Sequence, residues 1–169
     1  MLKGQDIVVL LKLLGAAEQA VPVRELANQL GYDVAGTHRA LHRLGEAGLY
    51  APRRRRVIPA RAEEFLVHAV KFFFPAEQGG EVRGVPTAWA AEPLARELAK
   101  SNALPPVWPH AKGTVRGLRF EPLHAIVPAA AQADRQLGER LALVDALRGS
   151  DSARMTMLAA KLLRESLRA

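Results

Sequence analysis

Arg39 and Arg43 stand four residues apart, as do His38 and His42, and ten positions further on Arg53, Arg54, Arg55 and Arg56 follow one another without a break. On a helix, residues at i and i+4 are surface neighbours, so each pair is able to present its heads to a single target. A guanidinium bonds bidentately to guanine O6 and N7 or to phosphate, and an imidazole N–H donates to either. Ala35 and Gly36 precede these side chains; both are small and permit close approach of a backbone, at a cost of about 1 kcal/mol in helix propensity for the glycine. From Asp33 to Arg61 there are seven arginines against two acids, so most of the chain's formal charge of +7 falls in this stretch. The chemistry expected is recognition of a polyanion: Ala35, Gly36, His38, Arg39, His42 and Arg43 toward the bases, and Arg53 to Arg56 along phosphates or into a minor groove.

Other chemistries find little support in the sequence. His38 and His42 have no adjacent glutamate and no third ligand, so no metal is expected. Glu63, Glu64, Glu92 and Glu121 have no spacing that assigns an acid and a base, and phosphate-loop, dinucleotide and nucleophile-elbow signatures are missing. The expectation is a protein that is not an enzyme and carries no cofactor. The chain has no cysteine, which excludes disulfides and fits a reducing cytoplasm. Its opening run, "MLKGQDIVVLLKLLG", is too short to span a bilayer and is interrupted by Asp6 and Lys12, so no membrane partner is expected. Trp89 and Trp108, with Phe72 to Phe74, would line either an effector pocket or a second small core.

The elements that must hold the arginines follow from periodicity. With 49% hydrophobic residues but only 5% aromatic ones, burial rests on Leu, Val and Ala, a composition suited to packed helices. Ile7, Leu10, Leu11 and Leu14 predict a helix over 5–14, and Val23, Leu26, Ala27 and Leu30 a second, closed by Gly31. Asp33 caps a third that runs to about Ala47, with Thr37, Leu41 and Leu44 inward. Short extended pieces at 49–51 and 55–58 make a hairpin around a Pro-Arg turn. A fourth helix spans 61–74 on a stripe of Phe65, Leu66, Ala69, Val70 and Phe73. Most of the prolines then fall between Pro75 and Pro128; one interrupted helix is expected there, over 92–101, and "EVRGVP" and "TVRGLRFEP" are candidate extended segments. Helices over 134–147 and 152–167 predict an antiparallel pair. The fold class is mainly α: an N-terminal winged helix-turn-helix with a β-hairpin wing over 1–78, then a Pro-rich connection and C-terminal helical hairpin over 79–169.

The stretch "VRELANQLGYDVAGTHRALHRLGEAGLY" resembles the helix-turn-helix of bacterial winged-helix regulators of the MarR and ArsR type. The resemblance is carried by Leu26-Ala27, Leu30-Gly31, the cap at Asp33, the Leu41 and Leu44 pair, and Glu46-Ala47-Gly48-Leu49. The later pieces "VWP", "RGLRFEPL" and "LALVDALRGSDSAR" resemble stretches of an uncharacterised bacterial winged-helix family. The resemblance implies a cytoplasmic transcriptional regulator that binds double-stranded DNA, with the third helix in the major groove. Its partner would be a second copy of the chain, joined through the C-terminal helices. The alternative is a protein-interaction module that restrains a partner enzyme, with the winged helix as scaffold.

Overall fold

The computed structural model describes residues 1–16 and 19–168. Helix α1 (Gly4–Gly15) buries Ile7 to Leu11 completely, so it lies inside the molecule rather than on its flank. α2 (Val23–Leu30) turns only Leu26, Ala27 and Leu30 inward. It ends at Gly31, whose φ of 64° is the left-handed conformation glycine adopts without strain. Asp33 then caps α3 (Val34–Glu46): its Oδ1 accepts from the Gly36 N–H at 2.6 Å, satisfying one of the free donors of the first turn. Thr37, Leu41 and Leu44 are buried against α1 and α2.

Strands β1 (Tyr50–Ala51) and β2 (Arg56–Val57) pair antiparallel, with Tyr50 opposite Val57 and Ala51 opposite Arg56. Each is shorter than its periodicity predicts. Two-residue strands hold because Tyr50 and Leu49 are buried in the helical core and the Ile58 N–H donates to the Leu49 carbonyl. The expected fourth helix is three pieces: α4 (Pro59–Glu64), a π-helical turn over Phe65–Ala69, and α5 (Val70–Phe73). The wide turn shifts the register. Leu66, Val67 and Val70 are buried, whereas Phe73, expected inward, is 56% exposed.

The proline-rich middle is more regular than expected. β3 (Gln78–Pro86), β4 (Pro106–Pro109) and β5 (Val115–Phe120) close on one another, each bonded to both of the others. The two "VRG" pieces are partners across this sheet, Val82 opposite Gly117 and Arg83 opposite Arg116. The helix expected over 92–101 shrinks to α6 (Leu94–Glu97), because the chain is extended again at Leu98 and Leu94 is its only buried residue. A helix that the sequence reading did not place, α7 (Val127–Ala133), precedes α8 (Arg135–Gly149). The two are separated by Asp134, which caps α8 by accepting from the Leu137 N–H.

α8 is the hub. Buried from Leu141 to Leu147 on every face, it touches α1, α5, α7 and α9 (Ala153–Arg168). One hydrophobic cluster runs from Ile7 in α1 through Trp108 to Leu163 in α9. Within the core, Thr87 Oγ1 and Trp108 Nε1 each donate to Asp145 Oδ2 at 2.7 Å, and Arg148 Nη1 donates to Oδ1 at 2.6 Å. Burial raises the Asp145 carboxyl pKa above its ordinary range, although these three donors pull the other way. Trp108 is thereby a core residue; Trp89 lines a separate hollow of about 270 Å³, far in role from Phe72 and Phe73, which lie at the surface.

Candidate nucleic-acid interface

The residues expected to read a polyanion divide into two groups. His38, Arg39 and His42 project from α3 into solvent, Ala35 is exposed at its first turn, and Arg53, Arg54, Arg55 and Arg56 are all exposed on the hairpin. A concave surface of about 790 Å³ lies between α3 and the hairpin, where His38, Arg39 and His42 face Tyr50, Pro52 and Arg55. It is this concavity that brings a helix arginine and a hairpin arginine together. His42 Nδ1 is 3.6 Å from Glu46 Oε2 on the same helix.

Gly36 and Arg43 do not belong to that surface. Gly36 is buried, and a Cβ there would come within 2.6 Å of the Tyr32 ring. The missing side chain makes room for Tyr32, which in turn meets His124 edge-on at 5.6 Å between ring centroids. Arg43 turns the other way from Arg39: its Nε and Nη2 donate to Asp6 Oδ2 and Oδ1, both at 2.8 Å. Asp6 is fully buried in α1 and also accepts from the Lys3 N–H at 2.7 Å. The hydrogen bond to Asp6 raises the Arg43 pKa, and two of its three nitrogens are committed to that carboxylate. Positions four apart differ by about 40° around a helix axis, enough to put Arg39 on the groove side and Arg43 against α1.

Asp6 interrupts the apolar run of α1, and a lone carboxylate in a buried stretch is the signal in the sequence that a cation must meet it. Two further residues at the interface carry no such signal: Val34, 41% exposed at the start of α3 beside Ala35, and Arg61, which supports the turn after α3 by donating to the Gly48 carbonyl at 3.2 Å.

The hairpin turn carries its own constraint. Arg55 has φ of 52°, in the left-handed region that costs a residue with a Cβ about 1 kcal/mol or more. Its N–H donates to the Pro52 carbonyl at 3.3 Å, and that of Arg54 to the Ala51 carbonyl at 3.1 Å. The chain accepts strain at the position that puts an arginine over the concavity. Nearby, burial raises the pKa of the Tyr50 hydroxyl, with the charge of Arg55 opposing.

Helix, helix, left-handed glycine turn, capped third helix and antiparallel hairpin are now in place, with cations along one face. Residues 7–49 match the family described as the IclR helix-turn-helix domain. The match covers α1, α2 and α3 up to the start of the hairpin, about a quarter of the chain. It supports a DNA-binding helix-turn-helix of the IclR type and a role in transcription regulation; the MarR and ArsR type is not the one matched. No curated protein and no solved structure matches the chain. The IclR-type element is a binding domain rather than a catalytic one. Among the described residues there is no cluster of three or more His, Asp or Glu able to hold a metal, and no helix is long and apolar enough to cross a membrane.

Proposed function

We propose that this protein regulates transcription by binding double-stranded DNA through α3 and the β1–β2 hairpin. The observation that carries the reading is the convergence of His38, Arg39, His42 and Arg55 on one concave surface at the edge of the IclR-type helix-turn-helix. A major groove admits one α-helix, and the side chains that leave its outer face reach base edges. Arg39, exposed and without a carboxylate partner among the described residues, is the base reader. His38 and His42 donate beside it, and Ala35 and Val34 at the helix start offer small apolar contacts to thymine methyls. Arg53, Arg54 and Arg56 extend the cationic surface along the phosphates, as the wing.

The test is binding to genomic DNA fragments at physiological salt, followed by titration of an enriched fragment against salt. Specific enrichment and an affinity that falls steeply with salt are expected, because neutralised phosphates release counterions. An Arg39→Ala protein that keeps both affinity and sequence preference removes α3 as the reader.

A further inference from the structure

Phe72, Phe73 and Met157 expose 76%, 56% and 73% of their surface, and none of them takes part in the interface above. Beside Met157 a groove of about 520 Å³ runs between the π-helical turn with α5 on one side and α9 on the other. Its floor is apolar: Val67 and Ala160 are buried, Leu158 is half-buried, and Met157 forms the lip. Every charged or titratable residue that lines it is basic: His68, Lys71, Lys161 and Arg164. Arg164 is held by Glu63 at 3.0 Å. Lys71 lies 5.1 Å over the ring of Phe72, and among the described residues neither Lys71 nor Lys161 has a carboxylate within ion-pair distance. On α9 the same character continues as Arg154, Met157, Lys161, Arg164 and Arg168, at alternating spacings of three and four that fall on one helix face.

An apolar trough with cationic rims fits one kind of occupant. We infer that this groove docks an amphipathic helix of another protein, its apolar stripe on Val67, Leu158 and Met157 and its acidic flanks against Lys71 and Lys161. Helix-in-groove docking uses apolar anchors on one face, and complementary charge selects the partner and its register. A second copy of the chain seated symmetrically would bring the same cations face to face, and the whole chain carries +7. DNA offers phosphates to the rims but nothing apolar to the floor. The π turn supplies Val67 and His68 to the groove wall.

The inference stands independently of the DNA reading and is tested without DNA. The probe is an 18-residue helical peptide with leucines on one face and glutamates on both flanks, titrated into the full chain by fluorescence anisotropy. A control peptide carries lysine in place of each glutamate. The acidic peptide is expected to bind at least tenfold more tightly than the basic one, and Lys71→Glu with Lys161→Glu to reverse that order. Met157→Asp is expected to weaken the acidic peptide at least tenfold with the melting temperature unchanged, since the side chain is exposed. Lack of binding by the acidic peptide, equal binding of the two peptides, or full binding by the Met157→Asp protein overturns the inference. Self-association that Met157→Asp abolishes also overturns it, because a second copy then fills the groove.

Discussion

Arg39 and Arg43 have the same chemistry and opposite employment, and the difference is measurable. Arg43→Ala leaves Asp6 buried and unpaired, a loss of about 3 kcal/mol or more, visible as a shifted denaturation midpoint. Arg43→Lys restores the charge but not the two-pronged bond, so it recovers only part of that loss. Arg39→Ala is expected to leave the midpoint within about 0.5 kcal/mol and to change DNA preference instead. Arg55 separates charge from backbone strain. Arg55→Gly relieves the left-handed φ and should raise stability by about 1 kcal/mol, while Arg55→Ala keeps the strain; both lose the same charge, so both should weaken DNA binding equally. A glycine variant less stable than the alanine variant would show that relief of the left-handed φ is outweighed by the freedom glycine adds to the unfolded chain.

At the scale of elements, the hairpin acts as one unit. Replacing Arg53 to Arg56 by Ala should weaken binding to all sequences alike and reduce the slope of log K against log salt by about 1 for each phosphate contact removed. An unchanged slope assigns the hairpin to another task. The joint between α2 and α3 depends on pH through the segment that leads into α7. His124 meets Tyr32 at the α2–α3 turn, and its Nδ1 accepts from the Ile126 N–H at 3.2 Å, a bond only the unprotonated nitrogen can make. Burial lowers its pKa below the ordinary value of 6.5. The unfolded chain therefore takes up a proton at a higher pH than the native one, so the contribution is whole above about 6.5 and is lost as pH falls below it. Melting temperatures measured at pH 7.5 and 5.5 should show this fall, and His124→Gln should shrink it. Asp134 acts in a lower window: burial raises its pKa, but the hydrogen bond from Lys12 and the Leu137 N–H outweigh this and leave it lowered. Its contribution is present above about pH 4 and is lost below.

At the scale of the molecule, the helix-turn-helix and the C-terminal helices stand or fall together. α1 packs on α3 and on α8, and Lys12 Nζ bonds Asp134 at 2.6 Å at the entrance to α8. A fragment of residues 1–78 would expose to water the side of α1 that packs on α8, so it should lack the cooperative melting of the full chain; a fragment that melts cooperatively would mean that α1 finds its core within the first half. The sequence by itself determined the helices around the turn, the Asp33 cap, the glycine exit at Gly31 and the clustering of arginines. Each of these rests on local physics: periodicity of apolar side chains, free N–H groups at a helix start, left-handed φ, and charges close along the chain. Only the tertiary structure decided that Arg43 answers to Asp6, that Gly36 makes space for Tyr32, that the two "VRG" pieces pair, and that α8 is buried on every face from Leu141 to Leu147. Most of these contacts join residues far apart in the chain, 37 positions from Asp6 to Arg43 and 122 from Lys12 to Asp134, where α1 meets α8. Which of several chemically suitable partners a side chain meets over such separations is set by how the helices rotate as they close one core, and no local pattern contains that rotation.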